Sequence, residues 1–271
     1  MNESVLVTAE ELRQSLTGDR PPLVLDCRVF RGGGEPCDRR YLPGSLSLDL
    51  ERDMSATPGQ GGRHPLPSRE NFTATLQARG VTPECSVVVY DDNGGQLAAA
   101  RAWWMIACWA GHPDVRVLDG GVAAWEAAEG ELVARAGEIE GWSHWSPSFN
   151  DDALVAVDEL DEKGGQLIDA RALARFRGIE EPLDPVAGHI PGAISRPCVE
   201  NLEPSGRFKS ARQLADELPR SEVLTAYCGS GVTACHNILA YAVAGLPLPR
   251  LYAGSWSDWI RDPSRPIATG E

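Results

Sequence analysis

The 271 residues are 42% hydrophobic and 24% charged, proportions that are typical of a folded globular protein and too apolar for a disordered one. Asp and Glu number 39 against 25 Lys and Arg, and the resulting net charge of -14 disfavours binding to nucleic acid. No stretch approaches the roughly 20 apolar residues of a membrane span, and the first residues are acidic where a secretory signal would be basic. We therefore expect a cytoplasmic protein with no nucleic-acid or membrane partner.

Seven cysteines are scattered along the chain. Their number is odd, and no Cys-x-x-Cys pair occurs, so a disulfide framework or a structural metal site is not expected. The sequence suggests no cofactor. What remains open is whether any single cysteine is reactive.

In the first half, short apolar runs alternate with stretches of helical period. Thr8 followed by Glu11 has the pattern of a capping box and predicts a helix start. Residues 23–28 and 86–91 contain apolar runs bounded by Asp, Gly or Pro, which is typical of buried strands, and residues 96–110 predict an apolar helix that ends before Gly111.

Residues 136–152 mix Gly, Pro, acids and two Trp residues without clear periodicity. We place a linker there, packed on a domain surface, between domains at residues 1–135 and 153–271.

The second half repeats the phrases of the first in the same order, including a capped helix start at residues 155–160 and a helix at 233–244. Four ordered matches at near-constant offset predict a duplicated α/β domain with a parallel sheet in each copy. The matched segments are 23–28 with 166–171, 41–45 with 189–193, 86–91 with 222–228, and 118–125 with 251–259.

The chemistry is expected in the loop that begins at Cys228. This residue follows an apolar strand and precedes an apolar helix, where open parallel sheets place their ligands. Gly229 and Gly231 allow the loop to curl so that its backbone N–H groups point inward, and the helix dipole adds positive potential. Both effects favour the thiolate form, so we predict that Cys228 is a nucleophile.

At the equivalent position of the first half the chain has Asp91, followed by Asp92, Asn93 and two glycines. The first half thus repeats the scaffold without the thiol. We expect only the C-terminal domain to be catalytically competent.

The sequence Cys-Gly-Ser-Gly-Val-Thr-Ala at 228–234, together with Asp-Ala-Arg at 169–171 and Gly-His-Ile-Pro-Gly-Ala at 188–193, resembles tandem rhodanese-domain sulfurtransferases. Gly229 and Ser230 resemble the 3-mercaptopyruvate sulfurtransferase branch, because thiosulfate-preferring relatives carry basic side chains there. The resemblance covers essentially the whole chain. It implies two rhodanese-like domains, each a parallel sheet flanked by helices, and a sulfurtransferase enzyme.

The resemblance also implies a mechanism. The Cys228 thiolate takes the outer sulfur of 3-mercaptopyruvate, becomes a persulfide and passes that sulfur to a thiol such as thioredoxin, or to cyanide. Ser230 matches the serine thought to assist proton movement, and Arg175 matches the arginine that binds the substrate. Backbone amides from Gly229 through Gly231, Val232 and Thr233 are expected to hold the persulfide.

Two parts of the family pattern are altered or less clear here. A second arginine that many relatives carry after Glu-Pro is missing beyond Glu181-Pro182, and Arg171, Arg177 or Arg196 could replace it. The family also places an acid and a histidine from the first half over the pocket.

Glu51 and His64 are the plausible matches for that acid and histidine, although a Gly-rich insertion at 59–62 interrupts their alignment. Asp169 and Arg171 are weaker candidates for the site, because a local ion pair between them, which would hold the neighbouring loop in place, is enough to explain why both are present.

Three alternatives remain open from the sequence. Thiosulfate could be the sulfur donor in place of 3-mercaptopyruvate. A phosphatase with a related cysteine loop would need an arginine near the loop end, where this chain has Ala234. A non-catalytic rhodanese-like binding module is the third alternative, although such modules commonly lose the cysteine.

Overall fold

The structure is a computed structural model that describes residues 4–29, 39–138 and 141–271. Cys37 lies outside the described residues. The chain divides into two compact units: the first comprises Met1–Ser55, Pro67–Asn150 and Pro204–Phe208, and the second comprises Ala56–Leu66, Asp151–Glu203 and Lys209–Glu271. Segment Ala56–Leu66 is therefore part of the second unit, although it lies in the first half of the sequence.

The first unit is built on a parallel sheet with strand order β1-β5-β4-β2-β3. The central strand β4 is buried along its whole length, as its apolar sequence predicts. The strands are β1 (Leu6–Val7), β2 (Leu23–Asp26), β3 (Leu46–Ser47), β4 (Val87–Tyr90) and β5 (Val115–Leu118).

Helix α1 begins as the sequence predicts. The Thr8 N–H donates to Oε2 of Glu11 at 2.9 Å, and the Glu11 N–H donates to Oγ1 of Thr8 at 3.1 Å, which completes a capping box. The helices of this unit are α1 (Ala9–Leu16), α2 (Arg69–Gln77), α3 (Ala99–Trp103) and α4 (Gly121–Ala127), with a π-helix at Trp104–Trp109.

The apolar helix predicted over 96–110 is confirmed, with a later start and two kinds of turn. It begins at Ala99 as α3 and continues from Trp104 to Trp109 as a π-helix. The rings of Trp104 and Trp109, both buried, stack 6.5 Å apart in this segment, and the wider π turn accommodates these large side chains in the interior.

The second unit repeats the parallel sheet with strand order β7-β6-β8-β9. A parallel bridge between Leu154 and Leu251 extends its edge, at the place where β1 pairs with β5 in the first unit. The strands are β6 (Gln166–Asp169), β7 (Ile194–Ser195), β8 (Leu224–Tyr227) and β9 (Arg250–Leu251).

The helix predicted over 233–244 is confirmed as α8, with Thr233 at its N-cap position. The helix start predicted over 155–160 forms as a short 3-10 turn at Val157–Glu159, which leads directly into α5. The helices of this unit are α5 (Leu160–Lys163), α6 (Leu173–Phe176), α7 (Ala211–Glu217), α8 (Ala234–Val243) and α9 (Ser255–Trp259).

The duplication is visible in the hydrogen bonds at the ends of the central strands. Tyr90 closes β4 and its hydroxyl accepts from the Leu42 N–H at 3.4 Å, while Tyr227 closes β8 and its hydroxyl accepts from the Ile190 N–H at 3.2 Å. Leu42 and Ile190 each precede a Pro-Gly pair, so the same tyrosine anchors the same loop in both units.

The described residues of the predicted linker form little regular structure, and its two tryptophans differ. Trp145 meets His112 edge-on with ring centroids 5.2 Å apart, whereas Trp142 is 68% exposed. No helix in the described part of the chain is long and apolar enough to cross a membrane.

Candidate functional site

The cysteine loop lies at the carboxyl end of β8, inside the second sheet. Cys228 follows the last residue of β8 directly and is 2% exposed, and α8 begins six residues later at Ala234. Because β8 has β6 on one side and β9 on the other, the loop emerges between strands rather than at the sheet edge. This is the usual position of a ligand site in a parallel sheet.

The start of α9 holds the base of this loop. The Cys228 N–H donates to Oγ of Ser255 at 3.1 Å, and the Trp256 and Ser257 N–H groups donate to the carbonyls of Cys228 and Gly229. Ser255 adopts a left-handed backbone conformation, with φ of 56°, and is fully buried. A non-glycine residue in that conformation is strained, and such strain is concentrated at functional sites.

Backbone N–H groups of the loop are left for a ligand. Among the described residues, the N–H groups of Gly229, Gly231, Val232 and Thr233 donate to no protein acceptor. Gly231 has φ of 75°, and a Cβ there would collide with the Ala253 carbonyl. Buried N–H groups ordinarily find a partner, so this arrangement suits an anion.

His64 contacts Ser230, which the sequence predicts to act in catalysis together with Cys228. Its Nδ1 lies 2.7 Å from Oγ of Ser230, which is 6% exposed. Both residues belong to the second unit, because segment Ala56–Leu66 is folded with it. The two groups can exchange a proton, whichever nitrogen of the imidazole carries the hydrogen.

Arg175 lies on α6 in a cluster of acidic side chains. Its Nε donates to Oε2 of Glu181 at 3.1 Å, and its Nη2 donates to Oε1 of Glu181 at 2.6 Å and to Oδ2 of Asp184 at 3.1 Å. Burial acts to raise the pKa of Glu181, but the hydrogen bonds and charge of Arg175 outweigh it and hold the pKa below its ordinary value. Glu181 is therefore a carboxylate near neutral pH.

Arg175 also reaches the cysteine loop. A Cβ built on Gly229 would lie 3.4 and 3.5 Å from its two terminal nitrogens. It would lie 2.8 Å from Nη2 of Arg63, a residue that the sequence motifs do not single out. The guanidinium groups of Arg63 and Arg175 therefore both lie beside the backbone of Gly229.

The three arginines suggested as replacements for the missing second arginine all form ion pairs, and Nη1 of Arg171 lies 3.3 Å from Oε2 of Glu181, the carboxylate that also pairs with Arg175. Arg171 forms a buried bidentate ion pair with Asp169, with Nη2 2.6 Å from Oδ2. This is the local ion pair that the sequence suggests for these two residues. Nη2 of Arg171 also donates to the Gly188 carbonyl at 2.6 Å. Arg177 pairs with Glu271. Arg196 pairs with Glu200 and Glu217.

Asp91 occupies in the first unit the place that Cys228 has in the second, directly after the central strand. Its Oδ1 accepts from the N–H groups of Asn93 and Gly95, and its Oδ2 from those of Ala98 and Ala99. Burial raises the pKa of Asp91 in spite of these bonds. The N–H groups that would face a ligand are here satisfied by the chain's own carboxyl group.

Glu51 lies in the first unit, in an exposed turn where its N–H donates to Oδ1 of Asp49 at 3.0 Å. Its predicted place over the pocket remains a prediction. Another thiol, Cys198, is buried, and burial raises its pKa to about 12. Cys235 donates its thiol hydrogen to the Gly231 carbonyl at 3.3 Å.

A family model described as "Rhodanese-like domain" matches the chain twice, over residues 8–128 and 153–262. The chain belongs to the rhodanese-like family. The two copies account for the duplicated α/β fold and confirm the resemblance read from the loop motif.

Relatives of this rhodanese-like chain match over nearly its whole length. One is a Pseudomonas aeruginosa protein named "Probable 3-mercaptopyruvate sulfurtransferase", 46% identical with all of both chains covered. Another is the "Thiosulfate sulfurtransferase" of Gallus gallus, 34% identical over 94% of this chain and 93% of the relative. The crystal structure of SseA from Escherichia coli, titled as a 3-mercaptopyruvate sulfotransferase, is 31% identical with a TM-score of 0.77 over 94% of this chain and all of that one. These matches identify the chain as a sulfurtransferase enzyme.

Sequence reasoning missed Arg63, Asp184 and Ser255. Arg63 stands next to His64 in an Arg-His-Pro sequence, but nothing local shows that its side chain reaches Gly229. Ser255 follows Ala253-Gly254 at a strand-to-helix turn, and that position is the signal that could have pointed to it.

Proposed function

We propose that this sulfurtransferase moves the sulfur of 3-mercaptopyruvate to a thiol or to cyanide through a persulfide on Cys228. The observation that carries the proposal is the loop from Cys228 to Thr233, where a buried thiol, unpaired backbone N–H groups, the Ser230 hydroxyl and the Arg175 guanidinium converge.

In the first half-reaction, the Cys228 thiolate attacks the sulfur of the donor. A sulfur–sulfur bond forms and the donor's carbon–sulfur bond breaks, so that the electron pair of that bond remains on the carbon as the enolate of pyruvate. The thiol hydrogen of the donor stays on the outer sulfur of the persulfide and can then ionise.

The enolate becomes pyruvate when its carbon receives a proton. Ser230 supports this step because its hydroxyl lies 2.7 Å from Nδ1 of His64, which can replace the proton that the serine gives up. The N–H groups of Gly229, Gly231, Val232 and Thr233 stabilise the negative outer sulfur of the persulfide.

In the second half-reaction, an acceptor thiolate or cyanide attacks the outer sulfur and the Cys228 thiolate leaves. A thiol on a protein such as thioredoxin fits the same chemistry as a small thiol.

A reducing compartment, the cytoplasm, is part of the proposal, since all six cysteines among the described residues are free thiols.

Only the second unit is proposed to be catalytic. In the first unit, Asp91 replaces the thiol and its carboxyl group already accepts four backbone hydrogen bonds. An aspartate in that position has no sulfur atom, so no persulfide can form on it.

Thiosulfate is the alternative donor, and the similarity to the Gallus gallus thiosulfate sulfurtransferase favours testing it. The loop itself favours 3-mercaptopyruvate. Residue 229 has no side chain and residue 230 carries a hydroxyl group, so neither provides a positive charge to neutralise the two negative charges of thiosulfate.

The test is the intact mass of the protein after it is mixed with 3-mercaptopyruvate or with thiosulfate, with pyruvate release measured in parallel. We expect a gain of one sulfur atom with 3-mercaptopyruvate, accompanied by pyruvate, and no gain in Cys228→Ser. The matched control is Cys85→Ser, which removes another described thiol that is not fully buried and should leave the gain intact. If the wild-type mass does not change with either donor, the persulfide mechanism is wrong.

A further inference from the structure

Residues 179–187 form an arm that follows α6 and contains no helix or strand. The arm carries Glu181 and Asp184, the two carboxylates that pair with Arg175. Ion pairs of this kind fix the direction of a planar guanidinium group. The position of the arm therefore determines where the Arg175 side chain points.

Segment 267–271 is hydrogen-bonded to the chain at both ends of the arm. The Gly270 N–H donates to the carbonyl of Arg177 at 3.0 Å, just before the arm begins. Just after the arm ends, His189 and Ala268 form an antiparallel bridge, with N–H···O distances of 2.8 and 3.0 Å. The segment thus joins the two ends of the arm to each other.

Glycines at these two ends allow the close approach of the segment. Gly178 has φ of 76° and Gly188 has φ of 121°, values that favour glycine. A Cβ on Gly178 would lie 2.8 Å from Cγ2 of Thr269, and a Cβ on Gly188 would lie 2.5 Å from the Ala268 carbonyl oxygen. Neither position leaves room for a side chain while segment 267–271 is in place.

His189 connects segment 267–271 to α6 as well. Its backbone forms the bridge to Ala268, while its Nδ1 lies 2.8 Å from the carbonyl oxygen of Phe176. The rings of these two buried residues stack with their centroids 3.7 Å apart. Because Arg175 precedes Phe176 on α6, a displacement of the segment would reach Arg175 through the histidine as well as through the arm.

Segment 267–271 lies at the surface, and four of its five residues are exposed. The ion pair between Arg177 and Glu271 adds little, since the Glu271 side chain is 91% exposed. The segment therefore depends mainly on its three backbone hydrogen bonds. A segment held in this way opens at a lower free-energy cost than the core of the domain.

We propose that segment 267–271 is a strap that positions the arm and Arg175, and that its contacts set the affinity of the site for the sulfur donor. The inference rests on the proposed function, in which Arg175 binds 3-mercaptopyruvate. Cys228 and Ser230 are bonded to other parts of the second unit, the start of α9 and His64. The strap should therefore affect donor binding more than the chemical step.

The experiment displaces the strap and then restores it. Gly178→Ala places a methyl group against Cγ2 of Thr269 and should push the strap away. Gly178→Ala combined with Thr269→Ser keeps the backbone strain at residue 178 but removes the methyl group of the collision. The matched control is Gly245→Ala, at φ of 68° in the same unit, with open space around an added Cβ.

Ala268→Pro is a second way to displace the strap, without any change at residue 178. It removes the N–H group that donates to the carbonyl of His189. It keeps the inference testable if Gly178→Ala does not fold.

The first readout is the steady-state rate with 3-mercaptopyruvate at a fixed cyanide concentration. We expect the apparent KM to rise roughly tenfold in Gly178→Ala and in Ala268→Pro with little change in kcat, since the donor is held less firmly. The double variant should recover most of the wild-type affinity. Thr269→Ser alone and Gly245→Ala should behave like the wild type.

The second readout is amide hydrogen exchange of residues 179–187, followed by mass spectrometry without any donor. Exchange should be faster in Gly178→Ala and in Ala268→Pro than in the wild type, and should slow again in the double variant. This readout does not depend on sulfur transfer. If the wild type gains no sulfur in the intact-mass experiment, the proposed function fails, but exchange still decides whether the strap holds the arm.

Two results would overturn the inference. Unchanged exchange in Ala268→Pro would show that the strap does not hold the arm, and faster exchange with an unchanged KM would show that it does not set donor affinity. A KM that stays high in the double variant would assign the defect of Gly178→Ala to backbone strain.

Discussion

The hydroxyl of Ser230 has two possible uses, and the donor molecule decides which of them matters. With 3-mercaptopyruvate the leaving group is a carbanion that needs a proton, and the contact with His64 at 2.7 Å can deliver it. With thiosulfate the leaving group is sulfite, which needs no proton on carbon. The importance of this side chain should therefore depend on the sulfur donor.

We predict that Ser230→Ala lowers kcat for 3-mercaptopyruvate by about 10²-fold, the lower end of the usual contribution of proton transfer. The rate with thiosulfate should fall less. His64→Ala should have a similar effect, and the double variant should be little worse than either single one, since the two groups act as a unit. Equal slowing with both donors, measured in steady-state assays, would contradict a role in proton transfer.

Single residues also show what a sequence can and cannot indicate at this site. Cys228, Ser230 and Arg175 are candidates that a local motif indicates, because the loop and α6 are continuous stretches of sequence. Arg63 could not, since its contact with Asp184 joins residues 121 positions apart. Only the folded chain shows which of several arginines turns toward the loop.

At the scale of whole elements, the positions of strands and helix caps can be predicted from the sequence, but whether a helix is of the α or the π type cannot. The capping box of α1 depends on two side chains three residues apart, so its pattern is local. The π-helix at Trp104–Trp109 depends on how buried tryptophans fit together, and no periodicity in residues 96–110 indicates it.

Segment Ala56–Leu66 is held to the rest of the second unit by hydrogen bonds from its backbone N–H groups to side chains of α9. The Arg63 N–H donates to Oγ of Ser257 at 3.1 Å, and the Gly61 N–H donates to Oδ1 of Asp258 at 3.2 Å. Gly62 has φ of 90°, and a Cβ there would collide with Oγ of Ser257 and lie 2.7 Å from the Gly254 carbonyl. The close approach of the segment therefore requires a glycine.

We predict that Gly62→Ala displaces the segment and lowers kcat/KM for 3-mercaptopyruvate at least tenfold, because Arg63 and His64 move with it. The matched control is Gly192→Ala, at φ of 78° with open space around an added Cβ. It carries the same backbone strain without the collision, so it should cost about 1 kcal/mol of stability and little activity. Equal activity losses in the two variants would show that backbone strain, not displacement of the segment, is responsible.

At the scale of the whole molecule, acid has two opposing effects. The net charge of -14 becomes smaller as carboxylates are protonated, which relieves repulsion in the folded state. Each unit, however, contains a carboxylate whose pKa is held below its ordinary value against the effect of burial, Asp26 by Arg28 and Glu181 by Arg175. These two carboxylates stabilise the fold only while they are ionised.

A carboxyl group whose pKa is lower in the folded than in the unfolded state adds stability above the unfolded value, which is about 4.3 for Glu, and loses it as the pH falls through the folded value. We therefore predict that Glu181→Gln lowers the free energy of unfolding most at pH 7, and that the deficit relative to wild type shrinks below about pH 4. Glu180→Gln, an exposed neighbour, changes the net charge equally and should show no such trend. Urea unfolding at a series of pH values measures both differences. A Glu181→Gln deficit that stays constant down to pH 3 would mean that the ion pair with Arg175 does not contribute to the acid sensitivity of the fold.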